Sequence, residues 1–310
     1  MGVAMRRITT SLMLVAAAAA ACSVTPDPEG PAQPVSRQAI ALDDFRIAGQ
    51  ARAVAHAFLR AYAEAPGDGG RTLEPLVEGV LAREWAHWVT IQNAAFPGSI
   101  DGSLQLGHLG TALPVRAPDG SLDDLVAYGV EVRATVTFDV TDEEGEPASL
   151  QRLMDGLVVL VQGEDGAFRV LNFVRDGLRL DQFFQVFEGA EERRGGVTVE
   201  IRNLIQLERW QFGVEIRNLS DRPMRLVRNL TALLTASGEP AIDEAPLVTF
   251  AAEIAPGETA EGIVSFAAPT TAEALDLQIA MAGPDEEAAA FVFGVPQPAG
   301  AAGPSPTPAA

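Results

Sequence analysis

Tyr128-Gly129-Val130-Glu131-Val132-Arg133-Ala134-Thr135-Val136-Thr137-Phe138-Asp139-Val140 is the most regular stretch of the chain. Its apolar residues fall on every second position, with Glu131, Arg133, Thr135, Thr137 and Asp139 between them. A period of two over this length predicts a long strand with one buried and one wet face. Downstream, Asp142 to Glu146 reads as a turn, and Leu157–Gln162 and Phe168–Val174 as a hairpin across Gly163-Glu164-Asp165-Gly166. Upstream, Ile100 to Asp124 reads as loop with at most one short strand.

Two helices precede this loop. From Leu42 to Ala65, Phe45, Ala48, Ala51, Ala55, Phe58, Leu59 and Tyr62 recur at three- and four-residue steps, one stripe of a helix. The second is expected from about Pro75, a first-turn position, to about Asn93, with Val77, Val80, Leu81, Trp85 and Trp88 as its stripe. Beyond the hinge Glu191–Gly196 the texture changes to short strands: 197–201, 210–216, 225–235, 247–254, 262–266, 275–281 and 290–293. Turn signals such as Asp221-Arg222-Pro223 and Pro256-Gly257-Glu258 separate them, the spacing of a β-sandwich.

Helices followed by a long antiparallel sheet make an α+β plan. Val159-Leu160-Val161 followed by Gly163-Glu164-Asp165-Gly166-Ala167-Phe168-Arg169-Val170 resembles the final hairpin of nuclear-transport-factor-two-like cone domains, over residues 40–190. Asn218-Leu219-Ser220, and Ile254-Ala255-Pro256-Gly257-Glu258 before Gly262–Phe266, resemble immunoglobulin-like accessory domains of bacterial envelope lipoproteins, over residues 196–296. The fold class expected is therefore an α+β cone domain, helices packed on a curved antiparallel sheet, followed by an all-β immunoglobulin-like sandwich. The domain expectation is a signal at 1–21, a lipidated tether at 22–39, the cone at 40–190, a linker at 191–196, the sandwich at 197–296 and a tail at 297–310.

The N-terminus carries Arg6-Arg7, an apolar run to Ala21 and then Cys22, the pattern of an export signal. Ala19-Ala20-Ala21-Cys22 resembles a bacterial lipobox, with Ala19 where Leu is usual. The resemblance implies lipidation of Cys22, the one cysteine of the chain. The Pro-rich segment Ser23–Val35 then suits an extended tether. The expected location is the cell envelope, lipid-anchored on the extracytoplasmic side. The chain carries 42 acidic residues against 22 basic ones, a formal charge of −20, and every basic residue is Arg. Such a surface repels nucleic acid, so no nucleic-acid partner is expected.

The three histidines, His56, His87 and His108, are far apart in sequence. Neither a phosphate-cradling glycine loop nor a nucleophile elbow occurs. The expectation is no cofactor, no metal and no catalytic residue. Glu84 interrupts the apolar stripe of the second helix; His87 is three residues on and Trp88 one turn away. Glu84, Trp85, His87 and Trp88, with Tyr128 on the long strand, are the candidate cavity residues. In the alternative, both tryptophans are core and Glu84 pairs with an arginine such as Arg83 or Arg133. The functional expectation is a membrane-anchored, non-catalytic binding or scaffolding module with an envelope protein or small ligand as partner. The alternatives are an isomerase- or hydratase-like enzyme using the cone cavity, with Glu84 or Asp124 as base, and a component of a secretion or cell-wall assembly.

Overall fold

The computed structural model describes residues 42–95, 101–116, 127–141, 147–251, 253–269, 274–284 and 287–296. The signal, Cys22, the tether, Asp124, the Asp142–Glu146 turn and the tail all lie outside the described residues. Helices α1 (Leu42–Asp68) and α2 (Gly79–Ala95) come first, then β1 (Asp101–Leu109), β2 (Leu113–Val115), β3 (Ala127–Thr141), β4 (Pro147–Gln162), β5 (Phe168–Arg175) and β6 (Leu178–Arg179). A short α3 (Leu180–Phe183) leads into β7 (Phe184–Val186), β8 (Glu191–Arg194), β9 (Val197–Gln206), β10 (Arg209–Asn218), β11 (Arg225–Leu226) and β12 (Ala232–Thr235). The last strands are β13 (Leu247–Val248), β14 (Thr259–Ala267), β15 (Leu275–Ala282) and β16 (Ala289–Val295). No helix among the described residues is long and apolar enough to cross a membrane.

The strands form three sheets, antiparallel in every pairing: β1-β3-β4-β5-β6 with β2 on β3; β13-β14-β10-β9-β7 with β8 on β9; and β11-β15-β12 with β16 on β15. The molecule is thus mostly β, which corrects the expected α+β cone followed by a separate immunoglobulin-like sandwich. The reason lies in α2. That helix packs on β5 of the first sheet and also on β7, β9 and β14 of the second. Ile205 on β9 and Ile263 on β14 accordingly join the same apolar core as Phe58, Trp85 and Val136. The second and third sheets share another core, built from Val199, Ile201, Phe212 and Val214 on one side and Leu277, Ile279 and Phe291 on the other, consistent with a β-sandwich.

The alternation of the opening stretch is realised in β3, where Val130, Val132, Ala134, Val136 and Phe138 are buried. Segment 101–109, read as loop, is a nine-residue edge strand on β3. It escaped notice because little of it is buried and its glycines carry no pattern. Gly102 allows its close approach to α1: a Cβ there would lie 1.8 Å from the carbonyl oxygen of Ala63. The second helix begins at Gly79 rather than Pro75, which sits in a separate 3-10 turn, Glu74–Leu76. Gly79 has φ of 81°, a left-handed conformation that interrupts the helix before it. Phe45 and Val80, one from each expected stripe, are exposed. Trp210 is half-buried against the core of the second and third sheets.

Candidate functional site

The candidate residues on α2 divide between two surroundings. Trp85 is fully buried, its ring 4.6 Å from Phe173, 5.5 Å from Tyr62 and 6.0 Å from Phe58. Tyr128 packs against the same core from the long strand, edge-on to Phe168, 5.4 Å between centroids. Glu84 pairs with neither Arg83 nor Arg133, which bind Glu78 and Asp155. Its Oε1 accepts instead from Nη2 of Arg202 on β9, at 2.8 Å and 118 residues away.

Arg202 reaches Glu84 because β9 is irregular at that point. Val214 pairs with Ile201 while Gly213 pairs with Asn203, which leaves Arg202 as the extra residue of a bulge. The phase of the strand reverses there: Val197, Val199, Ile201 and Leu204 face the core shared with the third sheet, and Ile205 faces the core containing α2. The Arg202 guanidinium also lies 3.4 Å from Glu215 and 3.6 Å from Glu261, and Glu261 lies 3.3 Å from Nε2 of His87. The hydrogen bond to Glu84 raises the Arg202 pKa further, against the cost of its burial. This is a charged clasp between α2 and the second sheet.

Trp88, of the five candidates, lines one cavity. That cavity, about 570 Å³, lies among α1, α2, β3, β4 and the β9–β10 hairpin, within the size range of about 300–1,000 Å³ usual for small-molecule sites. Its apolar wall is Tyr62, Trp88, Phe138, Leu150, Ile205 and Leu207; its polar groups include Gln92, Asn93, Arg152, Arg175, Asp176, Glu208 and Arg209. Arg152 stands opposite Val136 on β3, as Leu150 stands opposite Phe138 and Met154 opposite Ala134. Directly opposed residues share a sheet face, so β4 places Arg152 on the core side. Arg175 ends β5, buried, with its guanidinium 5.7 Å from the Phe183 ring centroid.

A two-residue turn, Asp176-Gly177, joins Arg175 to its partner Leu178. Asp176 adopts φ of 51° and Gly177 φ of 79°, the left-handed pair such a hairpin requires. The turn also fixes the Asp176 carboxylate. Oδ1 accepts from the Leu153 amide at 3.0 Å and Oδ2 from Arg175 Nε at 3.3 Å. Neither an arginine on β4 nor one at the end of β5 stood out in the sequence. The available signal was the alternation Leu150, Arg152, Met154, in which a cation occupies an inward position.

Comparison with models of known protein families and with curated proteins finds no match for this chain. The site therefore rests on its own chemistry. Burial, followed by repulsion from Arg175, pushes the Arg152 guanidinium below its ordinary pKa, with Tyr62, Asp176 and Glu208 acting in the opposite sense. Among the described residues its only hydrogen bond is a marginal one, 3.5 Å from Nη1 to the Gln151 carbonyl. No carboxylate comes within ion-pair distance of it among the described residues. The buried Nε1 of Trp88 and Nδ2 of Asn93 also lack hydrogen-bond partners.

Proposed function

We propose that this chain is a lipid-anchored, extracytoplasmic binding protein that retains a small molecule in the cavity between the first sheet, the helices and the β9–β10 hairpin. The observation that carries the binding role is the cavity itself: an apolar wall of small-molecule size, with a few polar groups left unmatched by the protein. The anchor rests on the export pattern ending in Ala19-Ala20-Ala21-Cys22 and on the proline-rich spacer after it. Attachment through acyl chains, at about 0.8 kcal/mol per buried methylene, holds stably with two chains or more.

The catalytic alternative drew on Glu84 as a base within a cavity. Glu84 is bonded to Arg202 and is not part of the cavity wall, so the binding role accounts for more of what the site contains. One preparation tests both halves of the proposal. The full-length chain, extracted from bacterial membranes with detergent, is weighed by native mass spectrometry. We expect an acylated N-terminal Cys22 and a small molecule that is lost in Trp88→Ala. A protein of unmodified mass in the soluble fraction refutes the anchor. A full-length protein that neither carries nor takes up any small molecule refutes the binding role.

A further inference from the structure

The cavity holds one cation that has no carboxylate within ion-pair distance and only a marginal hydrogen bond among the described residues. Its ionisable side chains are Arg152, Arg175 and Arg209 against Asp176 and Glu208, with Tyr62 beside them. Arg175 and Asp176 are bound to each other, and the remaining Asp176 oxygen is held by the Leu153 amide. Arg209 donates to Ser265, 3.0 Å from Nε to the hydroxyl and 3.3 Å from Nη2 to the carbonyl. Glu208 is exposed. What remains is the half-buried Arg152 guanidinium, with five N–H donors and one marginal bond. A cation drawn partly out of water without a counter-charge is costly.

We propose that the cavity selects a monocarboxylate carried on an aromatic or aliphatic body, its anion received by the guanidinium of Arg152. This rests on the reading of the cavity as a small-molecule site. A carboxylate offers about four lone-pair positions, and a guanidinium can engage it through two parallel bonds. A neutral or cationic ligand leaves the guanidinium uncompensated. The body of the ligand lies against Tyr62, Phe138, Leu150 and Ile205, where rings or methylenes replace water on apolar surface. The anion also relieves the repulsion between Arg152 and Arg175 that lowers the Arg152 pKa.

The test uses the full chain and monocarboxylates from benzoate to dodecanoate, each titrated beside its own primary amide by calorimetry and Trp fluorescence. We expect the best acid to bind at least about tenfold more tightly than its amide, the usual scale of a charge-assisted bond in a partly buried site. Arg152→Gln should erase that preference and leave the amide's affinity unchanged. Equal binding of acid and amide overturns the carboxylate inference while leaving the small-molecule site intact. Binding of neither overturns both. Should Arg152→Gln fail to fold, Arg152→Lys decides: it keeps the charge and loses the paired donors, and an unchanged acid-to-amide ratio in it refutes the proposed anion contact.

Discussion

Replacing Arg202 removes a cation held among three carboxylates, and the consequence can be worked from the distances. Its partners lie at 2.8 Å (Glu84), 3.4 Å (Glu215) and 3.6 Å (Glu261). Side-chain exposure is 26% for Arg202, 22% for Glu84, 13% for Glu215 and 35% for Glu261, so the Glu261 contact is discounted as largely screened. At an effective dielectric of about 20, one such contact is worth about 4 kcal/mol of Coulomb energy, and desolvation offsets much of it. A net coupling of about 1–2 kcal/mol between Glu84 and Arg202 follows. Glu84→Gln should cost about 1 kcal/mol, because Arg202 keeps its other partners. Arg202→Met should cost about 3 kcal/mol, because it strands Glu84 and Glu215 together at a half-buried interface.

The assay is a double-mutant cycle by urea denaturation, repeated in 1 M salt. The double variant should be more stable than the sum of the single losses implies, and the coupling should shrink with salt. A coupling below about 0.3 kcal/mol, or an Arg202→Met no worse than Glu84→Gln, refutes the clasp.

Three further predictions concern other parts of the chain. Gly102→Ala places a methyl 1.8 Å from the Ala63 carbonyl oxygen and should destabilise by about 3 kcal/mol or more in urea titration; an unchanged midpoint refutes the contact between β1 and α1. The Asp165 carboxyl is held down at about 2, first by the Arg169 guanidinium and then by the Ala167 amide. Its folded pKa lies below the unfolded value of about 3.9, so its contribution is present above pH about 4 and lost as pH falls through about 2. Carbon-detected NMR should show that midpoint in the native protein, and a midpoint near 3.9 contradicts the hairpin geometry. A fragment from Gly195 to Pro296 lacks β7 and β8, two partners of β9, and uncovers Ile205 and Ile263. It should bind a hydrophobic dye and unfold at lower urea than the full chain; a cooperative transition at the full chain's midpoint without dye binding shows the sheets to be self-sufficient.

Legibility in the sequence followed the range of the interaction. The strand from Tyr128 to Val140 was visible because its pattern is local and its inner face uniformly apolar. The hairpin across Gly163–Gly166 was visible for the same reason, with turn residues at fixed offsets. Edge strand β1 gave no such signal, since a strand with one bonded side and little burial needs no alternation. The partner of Glu84 could not be chosen from neighbours. Arg83 is its neighbour in the chain and Arg133 lies on the most regular strand, but the bulge that aims Arg202 at Glu84 depends on the pairing of β9 with β10. The cavity arginines were missed because each is embedded in a run that reads as ordinary strand or turn.

The grouping of Glu84, Trp85, His87 and Trp88 as one constellation failed for a geometrical reason. Successive helix residues turn by about 100°, so Glu84 and His87 lie about 60° apart while Trp85 points about 100° from Glu84 and about 160° from His87. Trp85 therefore enters the core of the first sheet, whereas Glu84 and His87 meet Arg202 and Glu261 on the second. Trp88, one turn on from Glu84, lines the cavity beside Ile205, Leu207 and Arg209 from that second sheet. Neither the clasp nor the far wall of the cavity exists until β9, β10 and β14 dock against α2. A ligand that binds only the docked state should then stabilise the clasp by mass action, by RT ln(1 + [L]/Kd), and weakening the clasp should lower the apparent affinity wherever undocking becomes populated. Arg202→Met, although it touches no wall of the cavity, is accordingly expected to loosen carboxylate binding, and to do so most near its own unfolding midpoint.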